Sequence, residues 1–293
     1  MAEVERDPVT GRETTGHEWN GIKELDTPVP RGVLIFLIIT HLWAFAYWFF
    51  MPSWPLGETY TKGLLGADQR TTVEARLVEG QEERAPWMAR LETEPYDAIV
   101  ADEALMKTVR GTGQQLFGDN CAACHGRDGK GRAFYPDLTD DDWLWGGGPE
   151  LIEQTMRVGI NTRHPESRIA QMPAFGRDEM LDREQVRNVA AYVYSLTNPE
   201  YSTAENLERI EAGREVFATT CAACHGENAA GSSEVGAPNL TDAYWVYGGT
   251  MDSIIASVHG GRQGHMPTWD ERLSNVEIRT LSLYVHDLGA RQP

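Results

Sequence analysis

The chain is poor in cysteine, in positive charge and in long apolar runs, and each scarcity narrows what it can be. Four cysteines occur in 293 residues. A chain of this length buries a core without disulfide staples, so a disulfide framework is not their purpose. Lysine and arginine number 26 against 44 aspartates and glutamates, a net charge of −18. That excludes a nucleic-acid partner, which needs a cationic face. It suits a basic protein partner instead, since opposite fields steer encounter. No alternating apolar pattern marks a strand, so every element is expected to be a helix or a loop.

All four cysteines fall in two copies of Cys-Ala-Ala-Cys-His, at Cys121–His125 and Cys221–His225. This is the attachment signature of a c-type haem. The two thiols are spaced for thioether bonds to the two vinyl groups of one porphyrin, and the imidazole lies beneath the iron. A thioredoxin-like pair needs no histidine directly after the second cysteine, and a zinc site of four cysteines would leave both histidines unexplained. The expectation is two covalently bound haem c groups, held by Cys121 and Cys124 and by Cys221 and Cys224. His125 and His225 are the proximal iron ligands.

Between Gly32 and Leu56 there is no Asp, Glu, Lys or Arg, and residues 32–51 read GVLIFLIITHLWAFAYWFFM. Twenty helical residues span about 30 Å, the thickness of the hydrocarbon layer. Trp43, Tyr47, Trp48 and Trp54 crowd the exit as an interfacial belt does, and Pro52 and Pro55 end the helix. The polar lead-in of 31 residues, the length of the apolar run and the lack of a small-residue cleavage site argue against a cleaved signal peptide. Residues 32–52 are therefore read as one retained transmembrane helix. Lys23 and Arg31 before it and Lys62 and Arg70 after it leave the positive-inside rule without a preference. Thioether attachment takes place outside the bacterial cytoplasm, which makes residues 1–31 cytoplasmic and the rest periplasmic, on the inner membrane. His41 sits mid-span. With no charged partner in the span, it is read as a neutral imidazole bonded to a neighbouring helix rather than a proton relay.

Residues 53–107 read as an acidic periplasmic tether of loops and short helical pieces. A pattern of about 100 residues then runs twice, as domains 108–199 and 205–293. Gly113-x-x-x-Phe117 and Gly213-x-x-x-Phe217 precede the two motifs. Each lets a helix approach a partner closely, the partners being the late helices 183–196 and 275–288. This is the helix crossing of small class I cytochromes c, which the repeat resembles. Pro136-Asp137-Leu138-Thr139-Asp140 answers Pro238-Asn239-Leu240-Thr241-Asp242, and Trp143-Leu144-Trp145-Gly146 answers Trp245-Val246-Tyr247-Gly248. The stretches 149–158 and 250–258 are amphipathic. The fold class is all-α: a single N-terminal transmembrane helix and two tandem class I cytochrome c-like domains.

Electron-transfer haems usually take a sixth ligand from the chain. Met172 in Gln171-Met172-Pro173 and Met266 in His265-Met266-Pro267 repeat at matching places, with proline stiffening the loop. Met156 and Met251 read as helix packing, Met180 lies in a charged stretch, and His259 and His265 compete in the second copy. The repeat selects Met172 and Met266 as axial ligands.

The lead-in Gly16-His17-Glu18-Trp19-Asn20-Gly21-Ile22-Lys23-Glu24-Leu25, then Pro28-Val29-Pro30-Arg31, one span and two Cys-Ala-Ala-Cys-His-Gly motifs resemble one family across nearly the whole chain. That family is the dihaem subunit III (CcoP/FixP) of bacterial cbb3-type cytochrome c oxidase. The resemblance implies passage of electrons from a donor cytochrome c or quinol-cytochrome c reductase, through two haems, to the haem–copper catalytic subunit in aerobic and microaerobic respiration. A monohaem cytochrome subunit is the further partner. The subunit would not be an enzyme by itself, since the chain has no copper-ligand cluster and both irons are expected to be six-coordinate. The resemblance also favours methionines exchanged between the domains. The separations, 47 residues from His125 to Met172 and 41 from His225 to Met266, suit either arrangement. Residues 101–200 hold 16 acidic and 11 basic side chains and residues 201–293 hold 12 and 6, which suits a basic donor. The competing readings are a stand-alone anchored dihaem shuttle, which needs no His-Glu-Trp lead-in, and a dihaem peroxidase, which needs an iron that can open a coordination site.

Overall fold

In the computed structural model, which describes residues 4–289, Asn20 and Gly21 take φ of 51° and 86°. Positive φ at both centres is the mirror-image turn whose twist matches a hairpin, and Asn-Gly is its commonest sequence. It joins strand β1 (Thr14–Trp19) to the antiparallel strand β2 (Ile22–Leu25). The expectation of helices and loops alone is corrected here. Both strands are largely exposed, so no alternating apolar pattern is required of them. Side chains hold the hairpin instead: the Trp19 indole donates to Glu24 at 2.9 Å, and Lys23 pairs with Glu5.

The residues divide at Glu83/Arg84 into two compact units. In the first, Pro30 opens helix α1 (Arg31–Phe50), which has no buried residue. Its mean hydropathy of 2.0 and 20-residue length are those of a membrane-crossing helix. Trp43 meets Tyr47 at 5.4 Å and Trp48 meets Trp54 at 4.9 Å near its C-terminal end. The His41 Nδ1 donates to Leu37 O of its own helix at 2.7 Å. The tether is also more regular than expected. Helix α2 runs over Gln69–Thr93 with Pro86 inside it. Its Arg–Glu pairs at 70/74, 76/79 and 90/94, 2.7–3.0 Å apart, stand at helical spacings and support it weakly.

The second unit contains both haem motifs. Asp102 accepts from the Ala104 and Leu105 amides, both at 3.0 Å, which starts helix α4 (Glu103–Asn120) after the short α3 (Tyr96–Ala101). There follow α5 (Ala122–His125), α6 (Pro149–Val158), strand β3 (Gln171–Met172) and α7 (Arg183–Thr197), the last opened by a capping box between Asp182 and Gln185. The second copy gives α8 (Leu207–Val216), α9 (Ala222–His225), α10 (Met251–Gly260), strand β4 (Arg262–Gln263) and α11 (Asn275–Gly289). β3 pairs with β4.

The late helices are the partners of the Gly-x-x-x-Phe helices, but they are exchanged between the copies. α4 and α6 pack on α11, whereas α8 and α10 pack on α7. A Cβ on Gly113 would lie 2.5 Å from the Tyr284 Cβ, and one on Gly213 would lie 1.9 Å from Asn188 O. Phe117 meets Tyr284 at 5.7 Å and Phe217 meets Tyr192 at 5.2 Å. The two cores are therefore mixed. One gathers Phe117, Met156 and Ile152 with Leu281 and Tyr284, and the other gathers Phe217 and Ile254 with Val186 and Val189. The ranges 108–199 and 205–293 delimit the sequence repeats, while each core takes its late helix from the other repeat. Arg279 of α11 ties the first core further, donating to Leu91 O and Glu94 O, both at 2.6 Å.

Gly113→Ala should lower stability by about 1–3 kcal/mol through overpacking against Tyr284. Gly111→Ala, two residues away on α4 with nothing within 4 Å of its would-be Cβ, should raise it by about 0.5–1 kcal/mol. Denaturant unfolding of the two variants side by side checks both signs.

Candidate haem sites

Each Cys-Ala-Ala-Cys-His forms a single helical turn closed by a glycine at φ 76°, Gly126 or Gly226. The chain then folds back under the histidine. Gly131 N donates to His125 O at 2.9 Å and Gly231 N to His225 O at 2.8 Å. Both glycines have positive φ, and a Cβ would strike backbone at 2.5 and 2.6 Å. The returning loop delivers a prolyl carbonyl to each imidazole: His125 Nδ1 donates to Pro136 O at 3.1 Å, His225 Nδ1 to Pro238 O at 3.0 Å. With the proton held on Nδ1, the Nε2 lone pair is left for a metal, and the ring orientation is set. Burial pushes both imidazole pKa values down, against the carbonyl bonds that raise them. This favours the neutral, ligating form.

The four cysteines are not bridged. Burial pushes the Cys121 thiol up to about 12 and the Cys221 thiol to about 11, so neither is an ionised nucleophile at neutral pH. Unbridged thiols spaced by one helical turn and followed by an oriented imidazole fit haem c attachment.

The methionines lie where the exchanged helices would lead one to look. Met266 packs in the core that contains Cys121 and Ala122, and Met172 in the core that contains Cys221 and Ala222. Backbone contacts hold each in place. Met266 and Ile160 exchange hydrogen bonds at 3.1 and 2.9 Å. A Cβ on Gly159, after α6, would lie 2.5 Å from Met266 O, and one on Gly261, after α10, would lie 2.6 Å from Met172 O. The pairing of β3 with β4 sets Met172 opposite Arg262, so the two methionine loops are one ribbon. Met156 is core at 4% exposure and Met180 is 51% exposed. Met251 packs against the second core. His265 Nδ1 donates to Asn161 O at 3.1 Å, and the His259 ring lies against Gly176.

Asn161 was not singled out in the sequence. At φ 52°, its amide donates to Ala170 O and Gly264 O, both at 2.7 Å, and so clamps both methionine loops. Only its tolerance of left-handed backbone hints at this.

Between the loops 130–144 and 230–246 lies a cleft of about 840 Å³. Asp140, Asp141, Asp142 and Asp242 line it. Burial, then the charges of Asp137, Asp142 and Asp141, push Asp140 up to about 6. Burial and then Asp242 raise Asp142. A carboxyl whose pKa is higher folded than unfolded favours the fold at low pH. Its contribution is full below about pH 4 and is lost as pH rises through about 6. Asp140→Asn should flatten the pH dependence of thermal unfolding across that window and leave the variant more stable than the parent at pH 7.

The comparisons with known proteins agree with this geometry. Residues 11–58 match the N-terminal domain of cytochrome oxidase-cbb3, FixP, and residues 110–193 and 208–285 match cytochrome c oxidase, cbb3-type, subunit III. The chain is 45% identical over 289 residues to the cbb3-type cytochrome c oxidase subunit FixP of Bradyrhizobium sp. (strain ORS 278), covering 97% of each. It is 40% identical over 297 residues to subunit CcoP of Azospirillum sp. (strain B510), covering 99% of each. It is 42% identical over 277 residues to subunit CcoP of Cereibacter sphaeroides, covering 94% of each. A hairpin, an apolar anchor helix and paired haem c motifs in one chain, matched over 97% of its length, place it in a single group: it belongs to the FixP/CcoP family of membrane-anchored, haem c-binding subunits of cbb3-type cytochrome c oxidase.

Proposed function

We propose that this subunit conducts electrons from a donor cytochrome c or quinol-cytochrome c reductase to the haem–copper catalytic subunit, through two haem c groups, and has no catalytic activity of its own. The observation that carries the proposal is the composition of the two cores. Each unites a Cys-Ala-Ala-Cys-His turn with one Met-Pro loop, which is a complete set of chain ligands for a six-coordinate electron-transfer haem. Bound haem c supplies a one-electron couple, and methionine opposite histidine raises its potential.

The chain's own residues do the rest. Cys121, Cys124, Cys221 and Cys224 hold the groups. His125 and His225, oriented by the Pro136 and Pro238 carbonyls, would each ligate one haem iron through Nε2. Met266 would hold the same haem as His125, and Met172 the same haem as His225, an exchanged arrangement supported by the residues that share each core. The helix α1 anchors the chain with residues 1–31 on the cytoplasmic side and both haem sites in the periplasm. The monohaem cytochrome subunit is the further neighbour. The acidic balance of both repeats, 28 acidic against 17 basic side chains over residues 101–293 (16 and 12 against 11 and 6), steers a basic donor.

A Met–iron bond gives a weak charge-transfer band at the red edge of the visible spectrum. In protein lacking Cys121 and Cys124, Met172→Leu should abolish the remaining band and Met266→Leu should leave it. The reverse result would assign each methionine to its own repeat. Donor reduction rates should fall steeply with added salt, and a flat response would remove the steering role.

A further inference from the structure

The hairpin that precedes the anchor helix has no core of its own. Thr14 N donates to Glu5 O at 2.7 Å and Arg6 bridges to Glu13, and β1 pairs with β2, so the chain makes three short passes. Yet Thr14 is the one buried residue between positions 4 and 26. A ribbon this small holds its shape in water only when an apolar face is covered by another layer. Helix α1 has no buried residue either, so it does not supply that layer.

The uncovered face is at the β1–β2 turn. Trp19 stands directly opposite Ile22, and the two are 66% and 73% exposed. Glu24, two residues on from Ile22, shares their face. It fixes the indole through the bond from Trp19 Nε1 at 2.9 Å, and its other oxygen accepts from Thr15 Oγ1 at 3.3 Å. An exposed tryptophan held in one orientation beside an aliphatic side chain is the kind of anchor that dominates the energy of a protein interface.

The ribbon around this pair is acidic. Residues 4–26 hold six Asp and Glu against three Lys and Arg. Arg6 pairs with Glu13 at 3.6 Å and Lys23 with Glu5. Glu18, Glu24 and Asp26 are exposed, and among the described residues none of them is in an ion pair.

The ribbon is also confined. β2 ends at Leu25 and α1 begins at Arg31. The segment 26–30 between them, with two prolines in it, reaches at most about 18 Å. On the cytoplasmic side two surfaces lie within that reach: lipid headgroups and the loops of neighbouring membrane-spanning subunits. The cytoplasmic leaflet is anionic and repels a net-negative ribbon. Cytoplasmic loops carry an excess of Lys and Arg, which complements it.

We propose that the hairpin docks on a basic cytoplasmic loop of a neighbouring membrane-spanning subunit of the oxidase. Trp19 and Ile22 are its apolar anchor, Glu24 lies beside them, and Glu18 and Asp26 stand at the rim. The contact gives α1 a second hold on the complex besides its place in the bilayer. This rests on the orientation given above, with residues 1–31 cytoplasmic.

The test uses the full-length subunit in its intact oxidase complex, in bilayer nanodiscs. Ile22→Cys, labelled with a maleimide benzophenone, is irradiated and the product mapped by mass spectrometry. The expected product joins it to a Lys- or Arg-bearing cytoplasmic loop of another subunit. Attachment to lipid alone, or to nothing, would overturn the docking. Glu18→Gln with Glu24→Gln keeps an acceptor for the Trp19 indole and removes two charges, so it should shift release of the subunit from the complex to lower salt. Trp19→Ala should release it at lower salt still. Release of both variants at the parent's salt concentration would also overturn the docking. If Trp19→Ala does not assemble, the paired Gln variant and the cross-link decide it. Haem content and both Met–iron bands should stay at the parent's values, which separates lost docking from lost fold. Val9→Cys, at a position 91% exposed in the preceding turn, tests the orientation separately. It should react with a membrane-impermeant maleimide in inverted vesicles only, and reaction in right-side-out vesicles would overturn the orientation itself.

Discussion

Two close helix crossings hold the haem-binding unit together: Gly113 beneath the Tyr284 side chain, and Gly213 beneath the Asn188 backbone and the Tyr192 side chain. No residue with a Cβ fits at either crossing without displacing its neighbour. Each crossing brings a Cys-Ala-Ala-Cys-His turn onto a late helix from the other repeat. Everything downstream follows from that exchange. The segment between α6 and α7 has to pass from one core to the other, and so has the segment between α10 and α11. The methionine loops are the parts of the chain that make those passages.

The passages meet, and their meeting makes the two sites dependent on each other. β3 pairs with β4, Asn161 bonds both arms, and each Met carbonyl sits against the glycine that ends the opposite repeat's helix. A methionine loop in a single-haem cytochrome answers to one iron. Here the two loops share one ribbon, held by backbone hydrogen bonds and packed glycines.

Much of this was legible from residue types. The haem motifs, the Met-Pro loops, the anchor helix and the Gly-x-x-x-Phe helices each announce themselves within a few residues. The Asn20-Gly21 hairpin was equally local, and an alternation search passes over it because its strands bury no face. Helix α2 was obscured by Gly80 and Pro86, both inside it. The role of Asn161 carries no local signal, since one of its partners lies about 100 residues away.

The sequence by itself determined the local chemistry: which thiols and imidazoles have the spacing of a haem-attachment motif, which methionines stand in stiffened loops, and which stretch is long and apolar enough to cross a membrane. Those depend on functional groups and short spacings. The tertiary structure alone decided which late helix and which methionine join which motif. The two repeats offer Ala191-Tyr192-Val193 and Leu283-Tyr284-Val285 to nearly identical early helices, so local complementarity is degenerate. Only the global packing of both cores at once, with the arms paired between them, distinguishes the exchanged arrangement from the direct one.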